Sequence, residues 1–148
     1  MVSRVAWARV VVAGGEVAGE IGAGLLVLVG VGRDDGPAEA GWLAGKVAAL
    51  RVFDDEAGRM NRSLAEDRAL GALVVSQFTL YGDARKGRRP SYVAAAGPEQ
   101  AAPLVDAVAA ALDAVGVPVA QGRFGASMRV ESAGDGPVTI LLDSAKRF

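Results

Sequence analysis

The chain holds neither cysteine nor histidine among its 148 residues. Thiolate nucleophiles, disulfides, iron–sulfur ligation, imidazole metal sites and Ser-His-Asp or Cys-His catalysis are excluded on that ground. Chemistry must come from hydroxyls, carboxylates, amides, cations, backbone groups or the substrate. Two segments concentrate such groups in a way that hydrophobic periodicity does not explain. The first, Ser76-Gln77-Phe78-Thr79-Leu80-Tyr81-Gly82-Asp83, carries Ser, Gln and Thr into the end of an apolar run. Taken alone it also reads as a strand with a polar outer face and an Asp turn. Backbone N–H groups around Gln77, Phe78 and Thr79 offer an oxyanion hole, worth ~2.7–4 kcal/mol per donor where this has been measured. Thr79 is the obvious nucleophile candidate, but no general base accompanies it and an unactivated hydroxyl is weak, so it reads as a positioning residue. The second segment is Gly134-Asp135-Gly136-Pro137-Val138-Thr139, a hairpin turn by composition. Its glycines free the backbone for unusual dihedrals, although a Gly-Pro bond has only a ~5–6% prior of being cis.

Two charged clusters complete the inventory. Arg85-Lys86-Gly87-Arg88-Arg89 places four cations within five residues on a turn-rich loop. It reads either as a solvated face paired with Asp83 or as a phosphate-contacting patch. Asp34-Asp35 reads as a turn and helix cap rather than a metal site. The net charge of −1 confines any RNA or DNA contact to a local patch, because a general nucleic-acid coat requires a basic domain. Trp7 and Trp42 read as packing residues.

The elements that must position these groups follow from patterning. A chain of this length forms one domain, here 1–148. Val10–Val12 and Val17–Ile21 flank Ala13-Gly14-Gly15 as a hairpin. Leu25 to Val31 is a continuous apolar run, as in a central strand buried on both faces. Pro37 opens a helix reaching about Leu50, with Leu43, Val47 and Leu50 on one face. Arg51 to Phe53 is a short strand onto which Met60 to Leu64 pairs back, and Leu73 to Gln77 is the next strand. Pro98 opens a second helix with the stripe Ala101, Leu104, Val105, Val108, Leu112 and Val115; Gly116 ends it, and Pro103 belongs near its first turn. Three closing strands follow: 117–123, 127–131 and 138–142, the last two joined through the Gly-Pro turn. The fold class is α+β, a mostly antiparallel, barrel-like sheet covered by two helices. No run approaches the ~20 apolar residues of a membrane helix, and no signal-peptide pattern opens the chain, so a cytoplasmic protein without membrane contact is expected.

Taken together, the two unexplained segments are far more specific than either is separately. The chain resembles the D-aminoacyl-tRNA deacylase family over nearly its whole length. The matching residues run from Gly19-Glu20-Ile21, Leu25 to Gly32, Asp34-Asp35, Lys46 and Arg51-Val52-Phe53 through Gly58-Arg59-Met60-Asn61 and Ser76 to Asp83. They continue through Arg85 to Ser91, Gly122 to Ala126 and Met128, and end on Gly136-Pro137-Val138-Thr139. The resemblance implies a homodimeric, cofactor-free and metal-free ester hydrolase with active sites at the subunit interface. Its substrate would be the bond between a D-amino acid, or glycine, and the terminal adenosine of a tRNA; DNA is not an implied partner. By the same resemblance Gly136-Pro137 is cis, reaches into the partner's pocket and excludes L side chains. Ser76, Gln77, Phe78, Thr79 and Met128 wall the pocket, Arg4 supports the turn, and the substrate's 2′-hydroxyl assists the proton transfer. Arg85, Lys86, Arg88 and Arg89 then become tRNA contacts. Gly134 stands where the family's turn usually carries Asn, and the first strand is about three residues short. A nonenzymatic RNA-binding dimer and a synthetase-type editing module are the competing readings.

Overall fold

The computed structural model describes residues 1–146, so the last two residues of the expected 1–148 domain lie outside the described part. The order is β1 (Val2–Val12), β2 (Val17–Ile21), β3 (Gly24–Val29), α1 (Pro37–Ala49), β4 (Phe53–Asp54), β5 (Met60–Arg62), β6 (Gly71–Ser76), α2 (Pro98–Ala114), β7 (Val119–Gln121) and β8 (Met128–Ile140). The expected α+β class, with a barrel-like sheet and two helices, is what the chain forms. The main sheet runs β2-β1-β3-β6-β7, with β8 on the other side of β1. Pairings of β1 with β2, β3 and β8 are antiparallel, and those of β6 with β3 and β7 are parallel.

Period-two alternation along β3 and β6 sorts the core into two layers. Leu25, Val27, Val29, Ala72 and Val74 face the helices and pack with Ala44, Val47, Val105, Val108 and Leu112. Leu26, Leu73 and Val75 point the other way, into the barrel, and meet Val5, Ala8, Val10, Val12 and Ile21. That two-sided burial is why the sequence of β3 is apolar without interruption. The barrel closes where β2 nears β7: a Cβ on Gly19 would stand 2.3 Å from the Gln121 carbonyl oxygen. Strand β3 approaches β6 just as tightly, and a Cβ on Gly24 would lie 1.9 Å from the Gly71 oxygen.

Helix α1 begins on Pro37, and the Gly36 N–H donates to the Glu39 carboxylate at 2.8 Å. Glu39, not Asp34 or Asp35, therefore serves that end of the helix. Helix α2 ends as read, on Gly116 with φ +86°. Val115 leaves the buried stripe, however, because the chain turns there and exposes it by 56%. Pro103 sits in the second turn instead of the first, and it is exposed. Trp7 is exposed as well, with the Arg9 guanidinium 5.9 Å from its ring centre, so it is not a packing residue.

The largest departure is at the end of the chain. Residues 128–140 form one strand where two strands and a hairpin were expected. The turn-like composition of 133–137 is absorbed into the β1 ladder, which shifts register between Ser3 and Val5 and again between Val5 and Trp7. Glycines let a strand bulge locally without reversing direction. Gly136-Pro137 is a cis peptide bond, and Gly136 has φ +122°.

Candidate active site

Ser76 ends β6 opposite Val29 of β3. One residue on, the Gln77 N–H donates to the Val29 carbonyl at 2.7 Å, a last rung of the parallel ladder. The chain then winds into a 3-10 turn, Phe78–Tyr81, anchored by Leu80 N–H to Gln77 O at 3.3 Å and Gly82 N–H to Thr79 O at 3.0 Å. The first N–H groups of any helical turn lack an internal partner. Among the described residues those of Phe78 and Thr79 meet no acceptor, and both residues are exposed. Gln77 is thereby removed from the three expected oxyanion donors, because its N–H is already engaged. Its side-chain amide instead donates to the Thr79 hydroxyl oxygen. Among the described residues no carboxylate or amine hydrogen-bonds Thr79, so none of them is placed as a base to activate its hydroxyl.

Asp35 holds a turn with Gly32, as its composition suggested, and also braces the 3-10 turn through links that the sequence did not show. The Tyr81 hydroxyl and the Gly32 N–H both donate to one carboxylate oxygen of Asp35, at 3.2 and 2.7 Å. Gln100, on the first turn of α2, donates to the carbonyls of Arg33 and Asp35 at 2.9 Å each. Gly32 leaves room for the tyrosine: a Cβ there would be 2.6 Å from its hydroxyl. Two glycines spaced by one residue at the end of a strand are the sequence trace of that close approach. On the other side, the exposed Phe78 ring meets Tyr92 edge-on at 5.1 Å.

The second segment lies on the exposed part of β8 and is tied down by Arg4, which is 8% exposed. The Arg4 Nε donates to the Asp135 carbonyl at 3.2 Å and pairs with the Asp135 carboxylate at 3.0 Å. Its Nη1 donates to the Val52 carbonyl at 2.8 Å and meets the Asp54 carboxylate at 3.4 Å. Met128 lies at the barrel end, in the cluster that holds Val75 of β6. It pairs with Val12, its sulfur accepts the Arg123 N–H at 3.3 Å, and it caps the barrel cluster beside Gly122 and Val75. Among the described residues of one chain, no hydrogen bond or ion pair joins Gly136 or Pro137 to residues 76–79. The structure thus brings Arg4 to the turn but keeps the turn apart from the Ser76–Thr79 segment.

The basic loop divides in two. Arg85 grips Asp83 through both carboxylate oxygens, at 2.8 and 2.7 Å, and holds that carboxyl far below the usual carboxylate range. The mutual backbone bonds of Asp83 and Ser91 close the loop. Lys86, Arg88 and Arg89 are exposed and form no ion pair among the described residues. A cavity of about 780 Å³ runs from β3 past α1, with Gly30, Leu43, Leu80, Tyr81 and Ala94 in its wall. It touches the far end of the 3-10 turn but is not lined by Ser76–Thr79, Gly136 or Pro137. Among the described residues no group of three or more acidic side chains could hold a metal ion.

Residues 1–143 match the family model described as D-Tyr-tRNA(Tyr) deacylase. The chain belongs to that family. Among its relatives is a D-aminoacyl-tRNA deacylase of Roseiflexus sp. (strain RS-1), 61% identical over 98% of this chain and 92% of the relative. Another, from Symbiobacterium thermophilum and bearing the same name, is 58% identical over 100% of this chain and 97% of its own. A solved structure titled c-Myc DNA Unwinding Element Binding Protein superposes with a TM-score of 0.88 at 38% identity, covering 97% of this chain and 96% of that one. A probable eukaryotic D-amino acid tRNA deacylase shares the deacylase-family fold at a TM-score of 0.78 and 16% identity, covering 92% and 93%.

Proposed function

We propose that this protein is a D-aminoacyl-tRNA deacylase that hydrolyses the ester of D-aminoacyl-tRNA, and of glycyl-tRNA, to free amino acid and tRNA. The observation that carries the reading is the pair of adjacent, exposed and unpartnered N–H groups of Phe78 and Thr79 in a chain of this family. An aminoacyl ester is already activated, so its hydrolysis needs a stabilised oxyanion and a placed water more than a strong base. Water adds to the ester carbonyl, and the two N–H groups receive the negative oxygen of the tetrahedral intermediate. The C–O bond to the 3′-oxygen then breaks, and that oxygen leaves with the proton that the attacking water lost. The neighbouring 2′-hydroxyl of the substrate orients or relays that proton. Gln77 fixes Thr79 as a positioning residue, and Ser76 ends the strand that presents the turn. No step calls for a metal or cofactor.

Enantiomer choice belongs to Gly136 and Pro137, reaching from a partner subunit. Their exposure on β8, and the lack of any bond from them to residues 76–79 of their own chain, favour contact across a dimer. Among the described residues the outer edge of β8 pairs with no strand, and Trp7, Phe78, Leu80 and Val130 are exposed apolar groups able to enter an interface. The turn's carbonyl oxygens hold the substrate's α-amino group and fill the space an L side chain requires, which admits glycine. Met128 supports the pocket from the barrel end. Discrimination of ~10³-fold requires ~4 kcal/mol, which a rigid clash supplies. Arg85, Lys86, Arg88 and Arg89 face tRNA phosphates, with Lys86, Arg88 and Arg89 uncommitted to other partners. Work on charged tRNA puts the protein in the cytoplasm; no helix among the described residues is long and apolar enough to cross a membrane.

Deacylation of matched D-Tyr-tRNA, L-Tyr-tRNA and Gly-tRNA tests the reading. Cleavage of the D and glycyl esters with sparing of the L ester is expected, unaffected by EDTA. Equal cleavage of both enantiomers, or loss in EDTA that added metal restores, would overturn it. Binding without cleavage would favour the nonenzymatic RNA-binding reading. Sedimentation of the purified protein tests the dimer. Because one structural neighbour bears a DNA-binding title, duplex DNA is the competitor to include, and it should displace tRNA poorly.

A further inference from the structure

The site as read so far gives the small β4–β5 hairpin no part. We propose that Asp54 of that hairpin and Asp135 of β8 are positioning residues for enantiomer selection. They act together through the guanidinium of Arg4 to fix the Gly136–Pro137 turn. The proposal rests on the deacylase reading for what the turn selects, and on geometry alone for how it is held.

Arg4 is the one buried charged side chain among the described residues, and a buried cation is tolerated only when paired and hydrogen-bonded. Its planar fork has five donors, which point in fixed directions. Nε takes the carbonyl and carboxylate of Asp135, the residue before the turn, at 3.2 and 3.0 Å. Nη1 takes the Val52 carbonyl at 2.8 Å and the Asp54 carboxylate at 3.4 Å. The other terminal nitrogen stands 3.5 Å from where a Cβ on Gly136 would be. The guanidinium therefore lies directly against the turn, between two elements distant in sequence.

Each carboxylate alone is a weak anchor. The Asp54 and Asp135 side chains are 53% and 55% exposed, so water screens each pair. Their joint effect is directional. Asp54 and Val52 fix one end of the planar group, and the orientation of its Nε toward the Asp135 carbonyl follows. Nothing at Gly134 can substitute, since it has no side chain and open space beside it. The β4–β5 hairpin itself is held elsewhere: Phe53 is buried in the main core, and the Arg51 Nε donates to the Asn61 carbonyl at 2.8 Å. It is thus a fixed post against which the turn can be braced.

The experiment compares Asp54→Asn, Asp54→Glu, Asp135→Asn, the double Asn variant and Arg4→Lys with the full-length wild type. Two quantities are read: kcat and KM on D-Tyr-tRNA and L-Tyr-tRNA, and hydrogen exchange of the peptide covering residues 133–139. Asp54→Asn should lower the D-over-L ratio of kcat/KM about five- to tenfold, mostly through faster cleavage of the L ester, and should speed exchange in the turn. Its kcat on the D ester should stay within about twofold, and Asp54→Glu should restore the ratio. The double variant should lose little more than the worse single one, because both carboxylates act through one guanidinium. An unchanged ratio and exchange in Asp54→Asn, beside altered ones in Arg4→Lys, would overturn the role of the hairpin. So would an equal loss on both esters, which marks a merely structural residue, or fully multiplicative single effects. If the wild type fails to separate the enantiomers, the deacylase reading falls, and the exchange measurement alone still decides whether the brace exists.

Discussion

The two segments to which the proposed chemistry is assigned are held in opposite ways. Residues 76–79 issue from β6, whose side chains from Gly71 to Val75 are buried and whose backbone is laddered on both sides. Their geometry is set by main-chain hydrogen bonds, down to the Gln77 rung on Val29. Gly136 and Pro137 belong to an exposed strand paired on one edge, and their geometry is set from below by one buried side chain. Ladder geometry is insensitive to which side chains stand on it, while a side-chain brace fails when a single atom is lost. Substitutions should therefore affect rate through the first segment chiefly when they alter backbone, and selectivity through the second when they alter charge.

Removing a backbone donor is the most severe test of that contrast. Phe78→Pro deletes one N–H at the first position of the turn, where proline is sterically welcome. It should lower kcat ~10²–10³-fold relative to Phe78→Ala, which keeps the N–H. Thr79→Ala should cost less than about tenfold; a loss comparable to the proline variant would make the hydroxyl a nucleophile.

Next in size is a break in the ladder itself. Gly24→Ala puts a Cβ 1.9 Å from the Gly71 oxygen, against backbone that cannot rotate away. Denaturant unfolding should show a loss at or beyond the upper end of about 1–3 kcal/mol. Gly134→Ala, with open space at its Cβ, should leave the unfolding midpoint nearly unchanged. Similar losses at both glycines would dissolve the distinction between the two regions.

A smaller effect separates the cations. Arg88→Ala and Arg89→Ala should each flatten the slope of log affinity for tRNA against log salt by roughly 0.7–0.9. Arg85→Ala should flatten it less, because Asp83 already neutralises that guanidinium. Equal slopes for the three variants would show the ion pair opening on binding.

The smallest effect is acid-dependent. The side-chain bond from Arg85 depresses the folded pKa of Asp83 below the unfolded value of ~3.9. A depressed carboxylate contributes stability that is complete above the unfolded pKa and is lost as pH falls through the folded one. A proton titration followed by NMR should therefore find Asp83 titrating below the ordinary aspartate range, with the 83–91 loop closed until it does. Asp83→Asn should remove that acid resistance.

Much of this was legible beforehand because it is local. Pro37 and Pro98 marked helix starts, Gly116 a helix end, and the unbroken apolar run of β3 a strand covered on both sides. The grouping of Ser76 to Thr79 marked a strand end, but not the 3-10 turn that follows it. What was not legible depends on partners far apart in sequence. Arg4 and Asp54 are separated by 50 positions, and Tyr81 and Asp35 by 46. Gly134 to Pro137 read as a reversal, since turn composition is a local signal, whereas β1 imposes continuity by shifting its own register. The loss of Gln77 as an oxyanion donor likewise follows from β3, not from the segment itself.

The pairing of β1 with β8 has a further consequence, in folding time. Ser3 and Thr139, whose hydroxyls lie 3.2 Å apart, are separated by 136 positions along the chain. Contacts between the first and last strands give nothing back until that entire loop has closed, and chains rich in such pairings fold in roughly milliseconds to seconds rather than microseconds. The β6 strand and its turn are hydrogen-bonded to β3, at less than half that separation in sequence. Closing the β3–β6 ladder therefore costs less chain entropy than closing β1 on β8, and the turn after β6 can form before the strand bearing Gly136 and Pro137 has docked.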